Sequence, residues 1–166
     1  MKKALTFMIA LMMLALTACG GNTNESTGSS DADLQNFYDS LVKEYQWEEG
    51  YLVDIEGEML EGYYPGLSEV STKQFIAKMP MMSAVVNELV FLQCETEEDA
   101  AKAAEILQDR ISYQVGDENN PGGAWYPESI EAWKKGQVIQ QGTYVAMIAS
   151  AEHQDAIVNA FNDLFA

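Results

Sequence analysis

The sequence predicts an α+β fold with two layers, in which a three- to four-stranded, mainly antiparallel sheet has its helices packed on one face. Apolar residues recur at helical spacing between Leu34 and Tyr45, which predicts an opening helix. Val85–Cys94 and Thr143–Ala149 are largely apolar and predict strands in the middle of the sheet. The predicted order of elements is α, irregular, α, β, α, α, β, β, α, and such a mixture favours the α+β architecture.

The segment around and after the opening helix is expected to be short and irregular. Asp31 or Asp33 can cap the helix, because a carboxylate there can accept a hydrogen bond from a backbone N–H of the first turn. Tyr51–Ile55 is predicted as a short strand and Glu56–Leu60 as a helical turn. A turn follows at Tyr63–Gly66, since proline presets φ and glycine accepts positive φ.

Two helices are expected on either side of the first central strand. One covers residues 72–78, with Ser68 or Ser71 as its cap and Pro80 as its stop, because proline cannot continue a helix. The other is longer and begins at Thr96, whose hydroxyl can cap the first turn.

The C-terminal part of the chain is expected to hold a loop, a helix, a hairpin and a final helix. Residues 115–126 are rich in Gly, Pro and Asn and predict the loop. Pro127 suits the first position of a short helix that ends at Gly136. A tight turn around Gly142 joins the last two strands, and Ser150 can cap the last helix.

The N-terminal segment is typical of a signal peptide. Lys2 and Lys3 precede the apolar run Ala4–Leu16, whose thirteen residues would span about 20 Å as a helix, too short for a hydrocarbon core of about 30 Å. The letters LTAC, which end at Cys19, resemble the lipobox of bacterial lipoproteins. That resemblance implies a signal peptide at residues 1–18 and a diacylglycerol on the Cys19 sulfur, which anchors the chain to the outer face of the cytoplasmic membrane. The alternative is an ordinary secretory signal with an incidental cysteine.

A polar segment separates this cysteine from the first predicted helix. Its letters, GGNTNESTGSS, include no large apolar side chain, so burial cannot offset the entropy of ordering it. Eleven such residues reach about 18 Å as a flexible chain. We therefore expect a lipidated cysteine and flexible tether over residues 19–30 and a single α+β domain over residues 31–166.

The charge of the chain restricts its partners. The formal net charge is −17, and removal of Lys2 and Lys3 with the signal peptide would make it −19. Nucleic acid is not an expected partner, because phosphate binding needs clustered Lys and Arg. Anionic lipid headgroups would repel the domain, so the diacylglycerol on Cys19 is the expected membrane contact.

Neither a metal nor a cofactor is expected. His153 and Cys94 are too few for a zinc site, and the acidic groups at residues 54–61 and 117–120 lack the EF-hand pattern. Cys94 has no disulfide partner once Cys19 is acylated. We expect Cys94 to be a small apolar strand residue, with a reactive thiol as the alternative.

No catalytic residue is predicted from the sequence. It contains neither a GxSxG nucleophile elbow nor a glycine-rich phosphate loop. A hydrolase that uses two carboxylates stays open, because 26 acidic residues always offer a pair.

Aromatic side chains are the better candidates for ligand binding. Tyr63 and Tyr64 lie in a predicted turn, and Trp125 and Tyr126 close the longest loop. Their apolar faces and polar tips suit a sugar, a peptide or a protein partner. The alternative is that Trp125 packs beneath its own loop as part of the core.

Two stretches carry a family resemblance: KMPMMSAVVNELVFLQC and WYPESIEAWKKGQVIQQGTYVAMIAS, with Met79–Met82 and Gly142–Val145 as their most specific parts. They resemble a family of small Gram-positive lipoproteins classed as a domain of unknown function (DUF4358). The resemblance covers Leu34–Phe165 and implies the fold and the location, but it supplies no catalytic residue. Met79, Met81 and Met82 themselves are expected to fill the core, with an adaptable binding surface as the alternative.

These observations together favour a membrane-anchored extracytoplasmic lipoprotein that acts as a non-enzymatic binding or accessory module of the cell envelope. Its ligand would be an envelope protein, a peptide or a saccharide. The alternative is a carboxylate-dependent hydrolase of the cell envelope. A cleft with two facing carboxylates would favour the hydrolase, whereas an exposed aromatic patch without such a pair would favour binding.

Overall fold

The computed structural model describes residues 31–82 and 84–166. The predicted signal peptide (1–18) and the predicted tether with Cys19 (19–30) lie outside the described residues. None of the helices in the described ranges is both long enough and apolar enough to cross a membrane.

The described chain contains five α-helices and five β-strands. The helices are α1 (Leu34–Glu44), α2 (Gly57–Tyr63), α3 (Glu97–Val115), α4 (Pro127–Lys134) and α5 (Gln154–Asp163). The strands are β1 (Leu52–Asp54), β2 (Thr72–Pro80), β3 (Asn87–Cys94), β4 (Gln137–Gln141) and β5 (Tyr144–Ser150). The α+β class is therefore confirmed, while the predicted strand number of three to four is too low.

The strands form one antiparallel sheet in the order β1-β2-β3-β5-β4. Every residue of β3 and β5 is buried, and each strand has a neighbour on both sides. Both were predicted to be central strands, and the prediction is confirmed. Their pairing places Val90 opposite Met147 and Phe91 opposite Ala146.

Helices pack on both faces of the sheet, which corrects the prediction of a single covered face. On one face Val90 and Met147 lie in a cluster with residues of α3 and α4. On the other face Phe91 and Ala146 lie in a second cluster with residues of α1 and α5. Successive side chains of a strand point to opposite faces, so a strand that is apolar throughout needs a cover on each side. The domain therefore has three layers.

Residues 72–78 form most of β2 and are not a helix, which corrects a second prediction. Ile76 pairs with Phe91 of β3, and Pro80 pairs with Leu52 of β1 at the strand's end. Ser71 does not cap a helix; its carbonyl accepts a hydrogen bond from the N–H of Glu95 at 2.9 Å. Pairing with a buried neighbour strand outweighs the weak helix signals of a serine cap and a proline stop.

The local capping and turn signals are largely confirmed. Asp33 Oδ1 accepts from the N–H of Asn36 at 2.9 Å, and Thr96 Oγ1 accepts from the N–H of Asp99 at 3.0 Å. Gly142, at φ 59°, opens the two-residue turn between β4 and β5.

The predicted cap of the last helix is displaced by a few residues. Ser150 is the last residue of β5, and the helix starts at Gln154. The Ser150 hydroxyl accepts from the N–H of His153 at 3.3 Å, while the Gln154 side chain accepts from the N–H of Ser150 at 2.9 Å. The side chains of Ser150 and Gln154 thus accept hydrogen bonds from the backbone N–H groups between β5 and α5.

Cys94 provides a test of the central strand. In a Cys19→Ser chain it is the one remaining thiol. Its side chain is 0% exposed, and burial, assisted by the negative charge of Asp99, raises its pKa to about 11. We expect iodoacetamide near pH ~8 to leave the folded chain unmodified and to label the chain rapidly in ~6 M urea, followed by mass spectrometry. Equal labelling rates in both states would contradict the burial.

Candidate functional site

A cleft of about 230 Å³ opens at the end of the sheet where β2 stops and β3 begins. Its apolar wall comes from the end of β2 and the turn that follows it, including Met79, Met82 and Val85. The opposite wall comes from the end of α3, from the loop that follows it and from Trp133 of α4. The cleft is therefore built by segments that are far apart in the chain.

Two buried charges form the floor of the cleft. Arg110 donates to Glu88 through Nε and Nη2, both at 2.9 Å, and the two side chains are 5% and 4% exposed. The hydroxyl of Tyr64, which is fully buried, also donates to the Glu88 carboxylate. Glu88 lies on β3 and Arg110 on α3, so the pair joins the sheet to its longest helix.

The local electrostatics keep this arrangement charged. Burial lowers the pKa of Arg110, but the hydrogen bonds and negative charge of Glu88 outweigh it and raise that pKa overall. Burial and then the charge of Glu88 raise the pKa of Tyr64 well above its usual value, so its hydroxyl stays protonated as a donor. The guanidinium also lies 4.3 Å from the ring centre of Tyr63 and 5.5 Å from that of Trp133, within cation–π range.

Asn87 is a buried polar residue whose hydrogen bonding is incomplete. It is 3% exposed and lines the cleft beside Glu88. Within the described ranges its Oδ1 has no hydrogen-bond partner. An unsatisfied buried acceptor costs about 1–3 kcal/mol, so its presence at a cleft calls for a functional reason.

The loop between α3 and α4 is held in place by its own backbone. The N–H of Gly123 donates to the carbonyl of Tyr113 at 2.9 Å, and the N–H of Ala124 donates to the carbonyl of Gln114 at 3.1 Å. A Cβ on Gly122 would lie 2.4 Å from the Gln114 carbonyl oxygen, so only glycine allows this close approach. The loop therefore presents its last residues from a fixed position on α3.

Large apolar side chains are exposed around the cleft. Met82 and Tyr113 line it directly and are 66% and 65% exposed. Trp125 follows the lining residue Ala124 and is 88% exposed, and Met81 precedes Met82 and is 77% exposed. We call these four side chains, Met81, Met82, Tyr113 and Trp125, the apolar rim.

The exposure of the rim decides two alternatives that the sequence left open. Trp125 does not pack beneath its loop, so the alternative of a core tryptophan is wrong. Met81 and Met82 do not fill the core either, whereas Met79 is half-buried and lines the cleft. These residues are surface residues because they occupy a turn and a loop whose backbones run over the outside of the domain.

The four aromatic candidates from the sequence fall into two groups. Tyr63 lines the cleft, and Tyr64 lies beneath it with its hydroxyl on Glu88, so Tyr64 does not reach the surface. Trp125 and Tyr126 are exposed, Tyr126 by 55%. The structure thus places Tyr63 and Tyr64 around the charged floor and Trp125 at the rim.

Sequence reasoning missed the charged floor itself. Asn87 and Glu88 interrupt the apolar run Val85–Cys94 that predicted the strand, and that interruption is a visible signal. Arg110 occupies the apolar stripe of α3, three residues after the buried Leu107. A charged residue at a core position of a helix and another in a buried strand are the pattern that a buried ion pair leaves in a sequence.

Other candidate residues show no comparable arrangement. His153 precedes α5 with its side chain 32% exposed, and Cys94 is fully buried. In the part of the chain that the structure describes, no group of three or more His, Cys, Asp and Glu side chains is placed to hold a metal ion.

The α+β domain with this cleft belongs to a family defined by sequence. The family model described as Domain of unknown function (DUF4358) matches residues 45–150, more than half of the chain, so the protein belongs to that family. The matched region contains the rim and the whole floor, together with Met79–Met82 and Gly142–Val145, on which the resemblance was based. No curated protein and no solved structure matches the chain.

Removal of one partner of the buried pair is expected to be costly. Arg110→Met leaves Glu88 buried without its cation and should lower the free energy of unfolding by about 3–5 kcal/mol. The double variant Glu88→Leu/Arg110→Met removes both charges and should recover most of that loss. Urea unfolding followed by circular dichroism measures both. A single variant that loses less than about 1 kcal/mol would contradict a tightly paired floor.

Proposed function

We propose that this protein is a lipoprotein whose domain binds a partner outside the cytoplasmic membrane. Cys19 carries the diacylglycerol after residues 1–18 are removed, and residues 19–30 tether the domain at residues 31–166. The lipobox-like letters LTAC, the apolar run ahead of them and the polar segment behind them support this proposal.

The observation that carries the binding role is the apolar rim around a preformed cleft. Tyr, Trp and Met are enriched in protein interfaces, and large apolar side chains that gather at one place mark interaction sites. Because the loop that bears Trp125 is already held by α3, binding need not order it, and this lowers the entropic cost of association.

An envelope protein or peptide is the ligand class that the site favours over a saccharide. A volume of about 230 Å³ suits a single inserted side chain more than a chain of sugar rings. Flexible methionines at the rim, Met81 and Met82, can adapt to an apolar partner surface. The strongly acidic domain favours a neutral or basic partner.

The geometry gives less support to a carboxylate-dependent hydrolase. Among the described residues that line the cleft, Glu88 alone is acidic, and its carboxylate is paired with Arg110 in two hydrogen bonds. Glycoside hydrolysis requires two carboxyl groups facing one substrate. An exposed aromatic rim without such a pair is the arrangement that favours binding.

The anchor is tested by changing the predicted lipidation site. Cys19→Ala removes the sulfur that would carry the lipid, so metabolic labelling with palmitate should be lost, and the chain should remain unprocessed or be shed. Labelling of immunoprecipitated protein and its size on a gel report both effects. Cys94→Ala is the matched control and should label as the unmodified chain does; label that persists in Cys19→Ala would overturn the anchor.

The rim is tested with Trp125→Ala. The side chain is 88% exposed, so the melting temperature should change by no more than about 2 °C. Recovery of an envelope partner on the immobilised protein, measured by quantitative mass spectrometry, should fall about tenfold or more, as for an interface hot spot.

Leu164→Ala is the control for this experiment. Leu164 is also a partly exposed apolar residue, and it lies at the end of α5, near the β4–β5 hairpin and away from the cleft. This variant should recover the partner as the unmodified protein does. A large loss of stability in Trp125→Ala, or equal recovery by both variants, would contradict the role of the rim.

A further inference from the structure

A second aromatic cluster lies at the same end of the sheet, on the segment that follows α1. The rings of Tyr45 and Trp47 are 5.4 Å apart between centres, and those of Trp47 and Tyr51 are 6.0 Å apart. His153 stacks on Tyr45 at 4.0 Å with an angle of 9° between the rings. These side chains are half-buried, so each also keeps part of its surface open to solvent.

The backbone fixes the relative position of these rings. Gln46, between Tyr45 and Trp47, has a φ of 53°, which is uncommon for a residue other than glycine. The N–H of Trp47 donates to the carbonyl of Val42 at 3.1 Å and closes the end of α1. The cluster is thus part of the helix terminus and does not depend on a long loop.

The aromatic cluster borders two cavities, of about 540 Å³ and about 230 Å³. Trp47, Tyr51, Glu152 and His153 line both of them. Acidic side chains complete the lining: Glu48, Glu49 and Glu152 in the larger cavity, and Glu128 and Glu152 in the smaller one. Neither lining contains a lysine or an arginine among the residues that the structure describes.

Two further observations agree with this lining. Burial and then the charge of Glu44, the preceding residue in the chain, raise the pKa of Tyr45. Asn87, whose buried Oδ1 lacks a partner within residues 31–82 and 84–166, also lines the smaller cavity. The site therefore offers aromatic faces and oxygen acceptors, while its fixed charges are all negative.

We propose that the cavities beside Tyr45, Trp47 and Tyr51 bind an alkylammonium group, that is, a primary amine on a hydrocarbon stem such as a lysine side chain. The ring faces attract a cation and cover its stem, and the carboxylates of Glu48, Glu49 and Glu152 accept the N–H donors. This site is separate from the apolar rim and does not rest on the function proposed for it.

The probe for this site is Nα-acetyl-lysine methylamide, titrated into the full chain purified in detergent. Binding is measured by NMR chemical-shift changes and by quenching of Trp47 fluorescence in a chain that carries Trp125→Phe and Trp133→Phe. We expect saturable binding and no binding of Nα-acetyl-norleucine methylamide, which has the same type of stem without the amine. Equal binding of the norleucine compound would overturn the recognition of a cation.

The carboxylates are tested against a matched change of charge elsewhere. Glu48→Gln/Glu49→Gln should weaken binding about fivefold or more. Glu105→Gln/Asp109→Asn removes two charges from the exposed face of α3 and should change the dissociation constant less than about twofold. If both double variants weaken binding equally, only the net charge of the domain acts, and the proposal fails.

The rings are tested with Trp47→Ala and Trp47→Phe, followed by NMR. The alanine variant should lose detectable binding, and the phenylalanine variant, which keeps a ring, should retain most of it. If Trp47→Ala does not fold, Tyr51→Ala serves as the second variant. Undiminished binding in Trp47→Ala, or in Tyr51→Ala where it takes its place, would overturn the proposal.

Trp125→Ala distinguishes this site from the rim. It should leave the lysine titration unchanged while it reduces capture of the envelope partner. A change in the lysine titration would place the cation at the rim and would overturn the second site.

Discussion

Glu88 and Arg110 form a buried ion pair in the interior of the domain. It joins a central strand to the longest helix, and Tyr64 adds a third segment through its hydroxyl. Charges removed from water are stable only when they are paired and fully hydrogen-bonded, so these three segments must meet in one geometry. The position of α3 on the sheet is thereby fixed, and with it the loop and the helix that follow.

The fixed position of α3 determines the shape of the cleft. The loop with Gly122 and Gly123 folds back on the end of this helix, and Trp125 follows directly. The turn between β2 and β3 supplies the facing wall. The wall that precedes Trp125 is held on α3 by backbone hydrogen bonds, so binding need not order that loop.

Both candidate sites lie at one end of the sheet and share a wall. Val85, Val86 and Asn87 line the cleft and also the smaller cavity beside Trp47. At the other end of the sheet, the two-residue turn at Gly142 joins β4 to β5. The positive charge of Arg110 is neutralised by Glu88, so the excess of acidic side chains dominates the field at this end and favours partners that carry positive charge.

Patterns in the sequence predicted correctly the features that depend on near neighbours in the chain. Asp33 and Thr96 cap their helices, Gly142 turns the hairpin, and the two apolar runs are the central strands, since each signal acts within a few residues. The identity of β2 and the second covered face could not be predicted in this way, because strand pairing and packing join residues that are distant in the chain. The same holds for the site, where sequence reasoning proposed Tyr63 and Trp125. The ion pair between Glu88 and Arg110 and the exposure of Trp125 depend on contacts between segments that are distant in the chain.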